Sequence, residues 1–229
     1  ETFKDRFDEW LADAAALGFD AVDLWIGVLD PRWATPDHIS MAKDALASRN
    51  MTVTSLAGNF GETADTLEKS CKLAQALGAE VLGGSTRVLA EDHATAVKLL
   101  ADHGIRLGVE NHPNEKTPAD ILAQIGDTGG GVIGTAVDTG WWGTNGYDAA
   151  QAINELKDHL FHIHLKDVKE AGAHDTCRFG AGVVPIKECV EGLKQVGYAG
   201  PITIEHEPET FDPTEDIRAS HEMLLAWLA

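Results

Sequence analysis

Residues 16–25, Ala-Leu-Gly-Phe-Asp-Ala-Val-Asp-Leu-Trp, hold the pattern that decides the fold: a helix end, a glycine and a short apolar strand. The same pattern returns at residues 76–84, 102–110 and 195–205, and Asn50 takes the place of the glycine before another apolar run. Glycine, and less readily asparagine, adopts the left-handed conformation that ends a helix, so the chain can turn at once into a strand. The repetition predicts helices alternating with buried strands.

Extending this pattern along the chain predicts seven strands and eight helices. We place the strands at about 21–25, 52–57, 81–84, 106–111, 134–138, 160–165 and 201–206. We place the helices at about 2–17, 36–49, 64–77, 91–103, 118–125, 148–158, 186–196 and 213–228. Successive strand ends lie about 30 residues apart, which is the length of a βα unit. The pattern therefore predicts an α/β protein with the (β/α)8 TIM-barrel fold, apparently lacking the first strand in this chain.

The helix at the start of the sequence has no strand before it. We therefore expect either an N-terminal truncation or a barrel that is closed in some other way. A doubly wound sheet is the alternative fold, but such a sheet usually carries a glycine-rich nucleotide loop, and the sequence contains no GxGxxG. No linker or shift in composition interrupts the chain, so residues 1–229 are predicted to form a single domain.

The composition excludes several classes of partner. The 229 residues carry 18 Lys+Arg against 37 Asp+Glu, a formal net charge of −19. This balance argues against nucleic acid and anionic membranes, which need a basic surface. No apolar run approaches the length of a membrane span. The three cysteines form no CxxC pair, which favours a reducing compartment and a cytoplasmic location.

Four successive predicted strands each end in a carboxylate or an imidazole. The residues are Glu110, Asp138, His164 and Glu205. In a TIM barrel the functional groups lie at these strand ends, and unpaired buried charges are costly, so the four side chains are expected to share a cation. Three carboxylates and one imidazole suit Mn²⁺, Mg²⁺ or Co²⁺. His162 points to the same face as His164 and is the alternative ligand.

The strand ends resemble the xylose isomerase-like TIM-barrel superfamily of sugar phosphate isomerases and epimerases, inosose dehydratases and related AP endonucleases. The resemblance is carried by residues 18–25, 109–112, 137–140, 162–167 and 180–185. It implies one divalent metal, Mn²⁺ first, with Mg²⁺, Co²⁺ or Zn²⁺ as alternatives, held by Glu110, Asp138, His164 and Glu205. It also implies that Glu110 and Glu205 flank the substrate and move protons. Trp141 and His162 stand where the AP endonuclease branch needs further zinc ligands, which argues against DNA repair.

The resemblance implies a metal-dependent isomerase or epimerase that acts on a small sugar or ketose through an enediolate intermediate. A proton removed beside a carbonyl can return to the neighbouring carbon or to the same carbon. The alternative is a dehydratase of a keto-inositol or keto-sugar, which the pair Lys166 and Asp167 favours. A third reading is a non-catalytic barrel, or one completed by a partner.

The expected substrate is a small sugar or a polyol-derived ketone, and a homo-oligomer is left open. Five residues just past the strand ends are expected to contact the substrate, namely His112, Trp141, Lys166, Arg178 and His206. The long loop from Val168 to Val184 is expected to act as a lid. Cys177 lies in this loop and has no assignable base, so it is not expected to be a nucleophile.

Overall fold

The computed structural model describes residues 2–229, and Glu1 lies outside the described residues. Among them, the sheet strands are β1 (Ala21–Trp25), β2 (Thr52–Asn59), β3 (Val81–Ser85), β4 (Arg106–Glu110), β5 (Ile133–Asp138), β6 (Leu160–Leu165) and β9 (Ile202–Ile204); β7 (Asp167–Val168) and β8 (Thr176–Cys177) form a separate pair. The helices are α1 (Phe3–Ala16), α2 (Pro36–Ser48), α3 (Ala64–Leu77), α4 (Arg87–Glu91), α5 (His93–His103), α6 (Pro118–Ile125), α7 (Thr139–Thr144), α8 (Ala149–Leu156), α9 (Ile186–Gln195) and α10 (Thr214–Leu228). Within residues 2–229, no helix is long and apolar enough to cross a membrane.

The sheet strands follow one another in chain order, β1-β2-β3-β4-β5-β6-β9. The pairs β1–β2, β2–β3, β5–β6 and β6–β9 are parallel, and helices connect them. Parallel strands in sequential order with helical crossovers are the pattern of a TIM barrel. The predicted fold class is therefore confirmed. The expected N-terminal truncation, or closure of the barrel in some other way, stays a prediction.

Local sequence explains where the helices begin and end. The Thr35 hydroxyl accepts a hydrogen bond from the His38 N–H at 3.3 Å, and Pro36 occupies the first turn of α2. A threonine N-cap followed by proline at the first helical position favours a helix start at this point. At the other end of a helix, Gly78 (φ 81°) and Gly104 (φ 63°) adopt the left-handed conformation, and Asn50 (φ 53°) does so after α2. The helix–turn–strand pattern of the sequence therefore has the expected backbone basis.

Three short features were not predicted. One helix was expected over 91–103, whereas the structure has α5 there and an additional short helix, α4, before it. A second unpredicted helix, α7, follows β5 directly. The segment 168–184, expected to be a plain loop, contributes to an antiparallel pair in which Asp167 pairs with Cys177 and Val168 with Thr176. Elements of two to six residues are too short to show a hydrophobic period, so sequence patterns do not find them.

Two compact units divide the chain. The first comprises residues up to Gly108 together with Thr128–Ile133, and the second comprises Val109–Asp127 and Gly134–Ala229. In the second unit, residues 134–138 of β5 are all buried, as expected for a strand covered on both faces. The prediction of one domain over residues 1–229 stays a prediction.

Gly84 permits the close approach of β2 and β3 in the first unit. A methyl group on Gly84 would lie 1.9 Å from the carbonyl oxygen of Gly58, its partner in the register, and Gly84 has φ +149°. We expect Gly84→Ala to lower the free energy of unfolding by about 2–4 kcal/mol through overlap and backbone strain. Urea unfolding measures the effect. Gly192→Ala, in the middle of α9, is the control. A methyl group at Gly192 would lie no closer than 3.8 Å to the nearest atom of a neighbouring segment, and alanine in a helix is expected to stabilise the protein slightly. Equal stability of the two variants would contradict the prediction.

Candidate metal centre

The second unit brings together the four side chains that the strand ends predicted. Glu110 ends β4, Asp138 ends β5, His164 is the penultimate residue of β6, and Glu205 follows β9. In the register, Asp138 pairs with His164, and His164 pairs with Thr203. One ligand atom from each of the four residues lies within 4.8 Å of the others. We call these four side chains the ligand cluster.

Burial and contacts bring the ligand cluster close to a single point. Asp138 is fully buried, and the His164 side chain is 3% exposed. The His164 Nδ1 lies 2.8 Å from Glu110 Oε1 and 3.3 Å from Glu205 Oε2. One imidazole nitrogen therefore faces two carboxylates at the carboxyl ends of parallel strands.

Hydrogen bonds hold both the side chain and the backbone of Asp138 in place. Its Oδ1 accepts hydrogen bonds from the N–H groups of Gly140 (2.7 Å) and Trp141 (3.1 Å), because Asp138 is the N-cap of α7. This leaves Oδ2 as the oxygen directed to the cluster. The buried side chain of Asn111 also clamps the Asp138 backbone, donating to its carbonyl oxygen and accepting from its N–H, each at 2.8 Å. Sequence analysis gave Asn111 no role, although a polar residue directly after a buried strand was a usable signal.

The two histidines of β6 have different surroundings. His164, preferred from the sequence, turns Nδ1 to Glu110 and Glu205. His162 is fully buried, and its Nε2 lies 3.1 Å from the hydroxyl of Thr203. Metal binding by His164 rather than His162 stays a prediction, but the geometry of the second unit favours it.

Lys166 inserts its ammonium group among the carboxylates. Its Nζ lies 2.6 Å from Glu205 Oε1, 3.0 Å from Glu207 Oε1 and 3.3 Å from Asp138 Oδ2, and its side chain is 2% exposed. Burial alone would lower the pKa of Lys166, but the three carboxylates together raise it above its ordinary value. Lys166 is therefore a charged, buried counter-ion of the ligand cluster.

Burial also shifts the pKa of Asp138, but it raises this pKa, whereas it tends to lower that of Lys166. Desolvation raises the pKa of Asp138 to about 7, and the charge of Lys166 opposes this rise. The neighbouring carboxylates Glu205 and Glu110 add to it. Asp138 thus holds a proton more readily than an ordinary carboxyl group does.

His112 and Trp141, two of the five predicted substrate contacts, lie beside the ligand cluster. The His112 Nε2 is 3.7 Å from Glu110 Oε2, and its ring centroid lies 6.3 Å from that of Trp141. The Trp141 ring in turn covers Lys166, whose Nζ is 4.6 Å from the ring centroid. Lys166 is the third predicted contact, although sequence analysis did not foresee its ion pairs.

His206 and Arg178 have other surroundings. The His206 side chain is 3% exposed; its Nδ1 lies 2.9 Å from the Thr176 hydroxyl and its Nε2 lies 3.4 Å from Asp216. Arg178 is exposed and lines a surface depression with Phe179 and side chains of α10. Substrate contact by these two residues stays a prediction, and the geometry does not add support to it.

The segment between β7 and α9 is tethered by a buried carboxylate. Asp167 Oδ2 accepts from the N–H groups of Gly180 (2.9 Å) and Gly182 (3.1 Å), and Oδ1 accepts from that of Val184 (3.0 Å). The predicted lid is therefore anchored over its last five residues. Burial raises the pKa of Cys177 in the same segment to about 11, so its thiol stays protonated, in line with the expectation that it is no nucleophile.

We expect Asp167→Ala to free the backbone of this segment. Its carboxylate provides all three hydrogen bonds, so the amides of Gly180, Gly182 and Val184 should exchange with deuterium about tenfold faster or more. Hydrogen exchange followed by mass spectrometry measures this. Asp175→Ala is the matched control, because that side chain is 73% exposed and pairs loosely with Lys169 at 3.8 Å. Unchanged exchange in the Asp167 variant would show that the segment is held by other contacts.

Comparison with known proteins shows similarity to a sugar phosphate epimerase over part of the chain. The chain is 39% identical over 72 residues to the L-ribulose-5-phosphate 3-epimerase UlaE of Escherichia coli, a match covering 31% of this chain and 25% of the relative. The chain spans less than half the length of the curated relatives it matches.

Two solved structures share the fold over nearly the whole chain. A D-tagatose 3-epimerase-like protein superposes with a TM-score of 0.79 at 20% identity, covering 95% of this chain and 91% of the other. The probable 3-DHS dehydratase AsbF of Bacillus anthracis superposes with a TM-score of 0.74 at 16% identity, covering 96% and 93%. Residues 11–227 match the family described as xylose isomerase-like TIM barrel. The parallel strands in chain order and this match together show that the chain belongs to the xylose isomerase-like TIM-barrel family.

Proposed function

We propose that this protein is a divalent-metal-dependent epimerase or isomerase of a small ketose. The observation that carries the proposal is the ligand cluster, in which three carboxylates and one imidazole from four strand ends come within 4.8 Å of one another. The epimerases among its relatives support the same reaction class.

The ligand cluster fits a divalent cation by its chemistry. Oxygen-rich sets with one imidazole suit Mn²⁺, Mg²⁺ or Co²⁺, and three carboxylates supply more negative charge than Lys166 neutralises. Glu110, Asp138, His164 and Glu205 would hold the ion. When bound, it polarises the substrate carbonyl and so makes the neighbouring C–H more acidic.

Glu110 and Glu205 are the groups we assign to proton transfer. Both carboxylates lie within 3.3 Å of His164 Nδ1, so both would border a substrate held at the cluster. One carboxylate removes the proton beside the carbonyl, and the other returns a proton to the opposite face or to the neighbouring carbon. Trp141 and His112 border the same space and would orient the sugar.

Dehydration is the second candidate, and Lys166 favours it. Its ammonium group is 2.6 Å from Glu205 and places a positive charge beside the proposed base, and the carboxylate that removed the C–H proton would pass it to the departing hydroxyl group. The same enediolate would then lose a β-hydroxyl group as water instead of being reprotonated on carbon.

Deuterium exchange tests the proposed reaction. The protein is loaded with Mn²⁺ and incubated in heavy water with a panel of ketoses, and the products are analysed by mass spectrometry and NMR. Epimerisation or isomerisation predicts carbon-bound deuterium at unchanged composition, whereas dehydration predicts a product lighter by one water. Lack of exchange across the whole panel would overturn both candidates.

Metal content tests the ligand cluster independently of turnover. After stripping and reloading with Mn²⁺, elemental analysis should find about one ion per chain in the wild type. The variant Glu205→Ala should lose it, because it removes one ligand that lies just past the end of β9. A folded wild type without stoichiometric metal would overturn the proposal.

Metal affinity should depend on pH through Asp138. Its pKa is raised to about 7 by burial, so below neutral pH a proton competes with the cation for this carboxylate. We expect the apparent affinity for Mn²⁺ to fall by about tenfold per pH unit below pH 7 and to level off above it. Isothermal titration between pH 5.5 and pH 8.5 measures the profile. An affinity that stays constant from pH 8 to pH 6 would exclude Asp138 as the controlling group.

A further inference from the structure

The surroundings of the ligand cluster indicate the charge of the substrate. We propose that this site takes an uncharged ketose and discriminates against the corresponding sugar phosphate. The inference rests on the proposed function and adds the substrate class to it. Two observations carry it: the ammonium group at the cluster is already paired, and the N–H groups of the glycine-rich segment 180–184 already bind the carboxylate of Asp167.

Lys166 is not available to a phosphate group. Its ammonium group contacts three carboxylates within 3.3 Å, from Asp138, Glu205 and Glu207, and Trp141 covers it. An incoming phosphate would have to take this cation away from three partners in a buried place, where leaving a carboxylate unpaired is costly. Lys166 therefore offers no unpaired positive charge to a sugar phosphate.

The segment 180–184 has the form of an anion-binding loop, but its anion is part of the chain. Successive backbone N–H groups from glycine-rich segments bind phosphate in many proteins. Here the N–H groups of Gly180, Gly182 and Val184 all point to the Asp167 carboxylate. The packing leaves little room, since a methyl group on Gly182 would lie 2.3 Å from Asp167 Oδ1 and 2.1 Å from the Val168 carbonyl oxygen. The N–H groups of this segment are thus already bound to the Asp167 carboxylate and are not free to bind a phosphate.

The charge balance at the cluster also opposes a dianion. Glu110, Asp138, Glu205 and Glu207 contribute four negative charges when ionised, which one ammonium group and one divalent cation do not fully offset. Glu207 is 64% exposed and lies on the solvent side of Lys166, so it is the carboxylate that an approaching ligand meets first. Like charges in this position disfavour a phosphate ester and leave a neutral polyol unaffected.

Matched substrate pairs test the inference. Mn²⁺-loaded protein is incubated in heavy water with each member of two pairs: L-ribulose and L-ribulose 5-phosphate, and D-fructose and D-fructose 6-phosphate. The rates of deuterium incorporation give kcat/KM for each compound. Binding of each compound is measured in parallel by calorimetry. We expect each free ketose to exceed its phosphate by about tenfold or more in both measurements. A phosphate equal to or better than its free ketose would overturn the inference and leave the proposed function intact. Absence of exchange with all four compounds would instead remove the proposed function, and the inference with it.

A charge reversal tests the cause. Glu207→Lys should lower the ratio of kcat/KM for the free ketose to kcat/KM for its phosphate by about tenfold. Added salt should make this effect of the substitution smaller. Asp158→Lys makes the same change in net charge on an exposed residue just before the start of β6, at the end of the strand opposite to the ligand cluster. This variant should keep the wild-type ratio of kcat/KM values. An identical effect of both variants would show that net charge alone, and not the arrangement at the cluster, sets the preference.

Discussion

Glu110→Gln is expected to lower the rate of deuterium incorporation into a ketose by about 10²–10⁴-fold, the contribution typical of a positioned acid–base group. The amide keeps the shape of the side chain and can still contact His164, which lies 2.8 Å from the carboxylate. It cannot accept a proton at neutral pH. The loss should therefore appear in kcat as well as in kcat/KM.

Two measurements separate this role from a general loss of structure. The free energy of unfolding of the variant should stay within about 1 kcal/mol of the wild-type value, because glutamine has the size of glutamate and its amide oxygen can accept a hydrogen bond from His164. Glu222→Gln, the same change on the exposed face of α10, should keep the wild-type rate. Wild-type exchange by Glu110→Gln would overturn the assignment of the base, even with a metal bound.

The ligand cluster was predictable because a TIM barrel repeats. Each βα unit brings its strand end to the same edge of the sheet, so Glu110, Asp138, His164 and Glu205 could be matched by their position at strand ends alone. The left-handed glycines that end the helices fixed those positions in the sequence. Family resemblance and periodicity therefore agreed on the fold and on which four residues converge.

The side-chain contacts between residues that are far apart in the sequence were not predictable. Lys166 finds its partners at Glu205 and Glu207, some 40 residues later, and nothing in the local sequence indicates that pairing. Asp167 likewise binds backbone groups of residues 180–184, and backbone amides carry no sequence signal. Helix α7 was missed because Thr-Gly-Trp-Trp-Gly-Thr has poor helix propensity, and the Asp138 cap and tertiary packing compensate for it.

The second large effect is expected from Lys166→Met. Methionine retains the apolar stem of the side chain but removes the ammonium group that faces Asp138 and Glu205. Breaking a buried ion pair by removing one partner leaves an uncompensated charge and costs about 3–5 kcal/mol. The pair with Glu207 adds little to this figure, because that carboxylate is 64% exposed and screened by water. Urea unfolding of the metal-free protein measures the loss.

A matched control and a rescue distinguish the explanation from a packing defect. Lys169→Met removes an exposed ion pair with Asp175 at 3.8 Å and should change stability by less than about 1 kcal/mol. Mn²⁺ should restore more stability to Lys166→Met than it adds to the wild type, because a divalent cation compensates the same carboxylates that lost their ammonium partner. A packing defect would persist with or without metal. Equal stabilisation of both proteins by Mn²⁺ would therefore show that Lys166 fills space at the cluster rather than balancing its charge.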